Sequence, residues 1–457
     1  MTDIIAELTS ILGPHGVLTG AEAEEKAFTP WGMLGTPLAV LRPASTDEVS
    51  ACLRIANAHG VPVTSWGGKT GLVEGTYADG ILALSLERMN AIEEIDPVNA
   101  TMVVGAGCVL QTACEAAEAR GLLLPLDLGA RGSATIGGVI STNAGGNRVL
   151  RFGMMRDMVL GLEAVLADGT VITAMKPLMK NNTGYDLKQF FIGSEGTLGV
   201  VTKAVLRLRP MPATQCTALL AVEEFAQLPV LLRRAEAEFG GTLSAFEVMW
   251  PAFYELVTTE PAKGRPILPH GSAYYVLIEM MGAHEGEDGD KFERVLGQIL
   301  EDGIVSDAVL AKSKAEAGKI WALRDDVAQM MRNYPICTFD VSLKIADMES
   351  YIAEVKAALL ARWPAATLVV FGHLGDGNLH VVAGVGDSMM KEEIEKIVYM
   401  PLAARRGSVS AEHGIGLQKR AWLSLSRDPA EIAMMRVIKN ALDPKDILNR
   451  GKIFTPS

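Results

Sequence analysis

Glycine constrains this chain more than any other residue. It is concentrated from Gly67 to Gly80 and again from Gly129 to Gly153. Glycine loses more backbone freedom on folding than any other residue, so such stretches suit sharp turns or close backbone approach. Regular elements flank them. Leu38-Ala39-Val40-Leu41 is a short apolar run, Asp47–His59 has a helical period, and Val61-Pro62-Val63-Thr64 is a strand. That β-α-β order predicts an α/β unit with buried strands. Residues 1–30 read as a capped helix plus a loop. Further strands fall at Thr101–Val104 and Glu163–Leu166. Gly199–Leu208 alternates as a strand and stops at Pro210-Met211-Pro212, where a domain boundary is expected.

The second half reads as α+β. Helices near 223–239, 289–302, 313–332 and 347–361 separate strands near 243–248, 273–281, 338–343 and 367–373. A chain of 457 residues with 49% hydrophobic and 21% charged residues fits a soluble multidomain protein. A net charge of −12 argues against a nucleic-acid partner. Five scattered cysteines without a C-x-x-C pair suit reduced thiols. The first residues lack the apolar core of a signal peptide, and no run of about 18 apolar residues predicts a membrane span. The cytoplasm is the default location.

Three segments look built to hold a ligand. Ser65-Trp66-Gly67-Gly68-Lys69-Thr70-Gly71-Leu72 follows a strand and can gather backbone N–H groups into an anion nest. It is neither a G-x-G-x-x-G nor a complete Walker loop. The second runs from Asp127 through Gly129, Gly132, Ser133, Thr135, Gly137 and Gly138 to Asn143 and Gly146. Its small side chains would let the backbone approach something flat and polar, or would form a mobile surface loop. The third covers Asn181–Leu187 and Ile192–Val201, with Gly196 before the strand.

A second signal lies at Gly372-His373-Leu374-Gly375-Asp376-Gly377-Asn378-Leu379-His380, between apolar strands. With Asp376-Gly377 as a two-residue turn, His373 and His380 would stand directly opposite on one face. They are then either a pair of core histidines or two ligands of a divalent ion. Glu412, in Ser410-Ala411-Glu412-His413-Gly414-Ile415-Gly416, offers a third ligand while His413 faces substrate. Imidazole and carboxylate suit Zn²⁺, Mn²⁺ or Fe²⁺. Asn378 would orient a ligand or the substrate.

Together the three loops, over residues 37–210, resemble the FAD-binding domain of the vanillyl-alcohol oxidase and p-cresol methylhydroxylase type. G-H-x-G-D-G-N-x-H and S-x-E-H-G-I-G resemble the D-lactate and D-2-hydroxyglutarate dehydrogenase branch of that family, as do Ser244-Ala245-Phe246-Glu247 and Asn449-Arg450-Gly451-Lys452. The resemblance implies an α+β protein. A two-subdomain FAD-binding domain would occupy 1–210 and a substrate or cap domain with an antiparallel sheet 211–425, with 426–457 returning to the FAD domain.

By resemblance, FAD is held non-covalently. Gly67, Gly68, Thr70 and Gly71 would face its pyrophosphate. Ser133, Thr135, Gly138 and Asn143 would line the pyrophosphate and isoalloxazine region, and Val200 would meet the nucleotide end. Lys69, Leu72, Asp127, Gly132, Gly196 and Asn449 complete the expected cofactor set. Trp66, often polar in relatives, would stack near the cofactor or simply fill space. His373, His380 and Glu412 would bind the metal, with zinc expected first, and His413 would be the base.

The implied reaction oxidises a D-2-hydroxy acid to its 2-keto acid. Its hydroxyl proton passes to His413 and hydride to flavin N5. Arg324 matches the family's substrate-carboxylate arginine, its rival reading being a surface cluster with Asp325 and Asp326. D-2-hydroxyglutarate relatives carry a threonine four residues after that arginine and a lysine two before the aspartate of D-x-S. Here Ala328 and Thr338 stand instead, and Lys344 is roughly 20 Å from position 338 at about 3.3 Å per residue. That keeps a monocarboxylic substrate such as D-lactate open. The acceptor would be a quinone or an electron-transfer flavoprotein, and relatives suggest a homodimer. The rivals are an oxygen-using oxidase, a non-catalytic flavin subunit of a larger complex, and a metallohydrolase.

Overall fold

The computed structural model describes residues 2–29 and 32–455. Met1 and Pro30, at the edges of the expected first helix and loop, lie outside them. The described part of that region forms two helices, Thr2–Leu12 and Ala21–Ala27. The chain packs as two units. One comprises 1–146, 153–211 and 412–457, and the other 147–152 and 212–411. The return to the first unit therefore begins at Glu412, whereas the sequence division puts that joint at 425/426.

In the first unit, strands Ala39–Leu41, Leu82–Ser85 and Val63–Trp66 lie parallel in a four-stranded sheet, with Val17–Leu18 antiparallel at its edge. Helix Thr46–His59 makes the crossover. The Ser45 side chain accepts from the Glu48 N–H at its start, and Gly60 ends it at φ 65°. It buries Val49, Cys52, Leu53 and Ala56, the 3–4 residue spacing of a single helical face. A second, five-stranded antiparallel sheet includes Val159–Val165, Val200–Arg207 and Thr101–Gly105. The C-terminal segment pairs back on the first sheet through a Val63–Leu448 bridge.

The second unit is built on a seven-stranded sheet in which every pairing is antiparallel. Its first half runs β-α-β-β-α-β, with strands Thr214–Val222, Leu243–Met249, Tyr274–Gly282 and Asp307–Leu310. Helices Gln227–Phe239 and Glu287–Glu301 fill the crossovers. Thr367–Gly372, Asn378–Gly384 and Ile336–Ser342 extend the sheet beyond Leu243–Met249. Strands such as Tyr274–Gly282 and Leu243–Met249 are buried along their whole length. They read as continuous apolar runs because both faces are covered. The α+β expectation and the antiparallel sheet of the second domain hold.

Candidate active site

Two chemically different sites emerge, one in each unit. In the first, the glycine loops meet backbone to backbone. A Cβ on Gly68 would lie 1.9 Å from the Ser133 carbonyl oxygen, and one on Gly67 would lie 2.5 Å from Thr135 Oγ1. Only glycine allows that approach. A Cβ on Gly71 or Gly132 would meet nothing within 4 Å, so these residues face open space. The third loop joins them. Gly196 sits at φ 70°, and its missing Cβ would touch Ser65 Oγ at 2.6 Å and Asn449 Nδ2 at 2.9 Å. Asn449 accepts from the Ser65 N–H at 3.1 Å and donates to the Glu195 carbonyl.

The first and second loops therefore converge as expected, with Gly196 and Asn449 beside them. This is a cradle whose missing side chains let the loops close on one another while Gly71 and Gly132 face open space, and it fits a polyanionic cofactor held by backbone N–H donors. Several side chains expected at the cofactor are occupied elsewhere. The Trp66 indole is buried among Ala23, Ala27, Val40 and Ala83 and donates to the Thr76 carbonyl at 2.7 Å. It fills space. Lys69 packs 5.3 Å over that ring and donates to the Lys26 carbonyl. Asn143, at φ 48°, accepts from the Arg156 N–H at 2.8 Å. Thr135 caps the short helix Ile136–Thr142, Asp127 pairs with Arg131 at 3.2 Å, and Val200 is buried in its strand. Leu72 is exposed.

In the second unit, four adjacent strands bring acid and imidazole groups together. Glu247, on Leu243–Met249, is 1% exposed. One carboxylate oxygen lies 2.6 Å from His373 Nδ1, and the other accepts from Arg324 Nε at 2.7 Å. Burial pushes the Glu247 carboxyl up, but His373 and Arg324 outweigh it and hold the group down at about 2. Arg324 is itself buried, with its guanidinium 4.9 Å over the Phe371 ring. The surface-cluster reading of Arg324 is thereby excluded.

The hairpin differs from its expected form. His380 pairs with Phe371, not His373, and the Asn378 N–H donates to the His373 carbonyl at 3.1 Å. Four residues, Leu374–Gly377, make the turn, with Gly377 left-handed at φ 86° and Leu374 fully buried. Burying Leu374 favours the longer loop, since a tight two-residue turn would lift it from the core. The register has moved by two, and side-chain direction repeats every two residues, so the histidines still share a face. Their ring centroids are 5.3 Å apart, and ligand nitrogens approach within 4.8 Å. Asp340, fully buried and directly opposite His380, lies 3.9 Å from its Nδ1.

Asn378 faces the same side two residues before His380. It is 3% exposed, and neither its amide nitrogen nor its amide oxygen has a hydrogen-bond partner. Leaving such a group unsatisfied costs about 1–3 kcal/mol, and polar cargo would relieve it. The donor set, imidazole and carboxylate, fits a divalent ion. In the first unit, Glu412 accepts from the Gly146 N–H at 3.1 Å. Glu195 takes the N–H groups of Ile415 and Gly416, both at 2.7 Å, fixing the segment that carries His413. Ala411, the residue before Glu412, donates to the Asp340 carbonyl at 3.3 Å. Reading motifs left Glu247 and Asp340 without roles. The signal available was a lone acid inside each of two apolar strands, Leu243–Met249 and Ile336–Ser342.

Comparison with known proteins accords with this picture. Residues 37–175 match the family described as FAD binding domain, and 211–453 match FAD linked oxidases, C-terminal domain. The mitochondrial D-2-hydroxyglutarate dehydrogenase of Bos taurus is 40% identical, covering 99% of this chain and 83% of that protein. The D-2-hydroxyglutarate dehydrogenase of Xanthomonas citri pv. viticola is 39% identical over 92% of this chain and 89% of its own. The structure of p-cresol methylhydroxylase with substrate bound superposes with a TM-score of 0.78 at 16% identity, covering 99% and 97% of the two chains. Fold and cradle define an FAD-dependent oxidoreductase of the p-cresol methylhydroxylase architecture. More closely, the chain belongs to the FAD-linked oxidase family, in the branch of the D-2-hydroxyglutarate dehydrogenases. Among the described residues, no helix is long and apolar enough to cross a membrane.

Proposed function

We propose that this protein oxidises a D-2-hydroxy acid to the 2-keto acid, with D-2-hydroxyglutarate the first substrate to test. The observation that carries the reading is the unsatisfied, buried Asn378 amide beside two imidazoles and a carboxylate on one sheet face. A hydroxy acid brings the oxygens such a group needs.

Gly67, Gly68, Thr70, Gly71 and the 132–138 segment would hold the FAD pyrophosphate, supported by Gly196 and Asn449. Bound there, the flavin supplies a two-electron acceptor for the substrate's α-hydrogen. His373, His380 and Glu412 would hold one divalent ion, zinc first, with manganese or iron as alternatives. Such an ion makes a ligated hydroxyl more acidic. Chain continuity supports Glu412 in this role, because its neighbour Ala411 is tied to the Asp340 strand. His413 follows and would take the hydroxyl proton, as imidazole is the side chain commonly used for general-base work. Arg324 would fork onto the substrate carboxylate with the N–H groups not given to Glu247. Asn378 would hold a substrate oxygen.

Ala328 and Thr338 favour a second reading, a monocarboxylic substrate such as D-lactate. Both positions are exposed and carry no charge toward a distal carboxylate. The test is anaerobic bleaching of the flavin by a panel of D- and L-2-hydroxy acids. Bleaching by D-acids alone is expected, fastest for D-2-hydroxyglutarate. No bleaching by any D-acid defeats the proposal. A quinone or an electron-transfer flavoprotein would reoxidise the flavin, and the protein would work as a dimer.

A further inference from the structure

We infer that Glu247 is a positioning residue that decides which ring nitrogen of His373 is offered to the ion, while gripping Arg324 with its other oxygen. The inference rests on the metal reading above and adds the residue that prepares it.

The geometry leaves one consistent proton arrangement. Ionised Glu247 can only accept, so His373 Nδ1, 2.6 Å away, must carry a hydrogen. Arg324 Nη2 can only donate, and it lies 3.3 Å from His373 Nε2. That nitrogen must therefore present its lone pair. A doubly protonated ring would set two donors against each other, and the opposite tautomer would fail at both contacts. The ring is thus neutral, with Nδ1–H on the carboxylate and the Nε2 lone pair directed away from it. This is the electron pair a metal ligand uses, and a carboxylate behind a ligating histidine is what fixes ring orientation and basicity.

The arrangement is built deliberately into the sheet. Leu243–Met249 pairs with Thr367–Gly372 through Val248–Gly372 and Met249–Phe371, which sets Glu247 beside His373. Helix Lys314–Asp325 delivers Arg324 at its last turn. A buried Glu–Arg pair satisfies its charges without a histidine. Spending one carboxylate oxygen on Nδ1 has a use only if the tautomer matters. The same grip couples the two halves of the site, because Arg324 Nη2 and an ion cannot share one lone pair. With Nε2 given to an ion, that guanidinium N–H would turn to other acceptors.

Glu247→Gln tests this. Its amide oxygen can still accept from Arg324, but its NH₂ group then faces Nδ1 and favours the Nε2–H tautomer. Selective ¹⁵N-histidine NMR on chelator-treated, flavin-loaded protein reads the tautomer, and zinc titration reads affinity. The wild type is expected to show His373 as Nδ1–H. The variant should show the reverse and bind zinc about 10–100-fold more weakly, with flavin content and near-ultraviolet dichroism unchanged. If Glu247→Gln does not fold, the wild-type tautomer decides alone, and predominant Nε2–H overturns the inference. Zinc bound equally by variant and wild type also overturns it, leaving the metal reading intact. A wild type that takes up no zinc defeats the metal reading itself, a result distinguishable from the other two.

Discussion

The two candidate sites are built by opposite means. The cradle of the first unit is built from what is missing: at Gly67 and Gly68 the absent Cβ atoms let the loops meet backbone to backbone. The cluster of the second unit is built from what is present, an acid joined by short hydrogen bonds to one imidazole and a guanidinium, with a second imidazole 5.3 Å from the first. Backbone sites tolerate almost no added volume but little depends on any one side-chain charge. In side-chain sites volume matters less, and each charge is held by its neighbours. The two should therefore fail differently when perturbed.

The largest effect is expected at Gly68. In Gly68→Ala the new methyl would sit 1.9 Å from the Ser133 carbonyl oxygen, so backbone must move. Overpacking of this kind costs about 1–3 kcal/mol or more. The variant should purify without flavin, read as loss of the yellow absorbance. Gly71→Ala sharpens the point, because its methyl meets nothing within 4 Å. That protein should fold normally, so any flavin loss there would report the ligand's own demand for space. Flavin retained in full by Gly68→Ala would show that the loops are not a cradle.

Loss of a side chain should fail chemically instead. His413→Ala should keep its flavin and lose about 10²–10⁴-fold in the rate of flavin reduction by substrate, the usual span for removing a general base. Fast reduction would remove it from that role. Arg324→Ala is a mixed case. It should raise the substrate KM and also lower stability by about 3–5 kcal/mol, since buried Glu247 would lose its cationic partner and keep only His373. An unchanged KM with lowered stability would assign Arg324 to Glu247 alone.

The same contrast governs what could be read from the chain. Glycine spacing is a local signal, so the loops at 67–71 and 132–138 were legible, as were helix Thr46–His59 and strand Leu243–Met249. Their mutual approach was legible only through resemblance, since nothing local says that Gly68 meets Ser133. The histidine turn misled because Asp-Gly favours a two-residue turn, while burial of Leu374 selects a four-residue one. The error was harmless, as a shift of two keeps the face. Glu247 escaped because its importance lies in partners 77 and 126 residues away. Trp66 shows the reverse: a conspicuous residue in a ligand loop whose ring belongs to the core.

Buried charge offers the finest test of the comparison. Both units pair buried charges, Glu247 with Arg324 and Glu279 with Arg148 at 2.9 Å in the second, and Lys439 with Asp443 at 2.5 Å in the first. In the first unit, Lys452 is 4% exposed and donates to two neutral oxygens, Thr64 Oγ1 at 2.9 Å and the Tyr77 carbonyl at 2.8 Å. Burial lowers its pKa to about 8 from an ordinary 10.5. Between those values the unfolded chain holds a proton on this lysine that the folded chain has released. Stability must therefore rise with pH across that window, and the folded state bears the cost of the buried charge below about pH 8. Lys452→Met removes the titration. The wild-type melting temperature should climb relative to the variant's as pH goes from 8 to 10, and parallel curves would mean that Lys452 is compensated by a neighbouring anion.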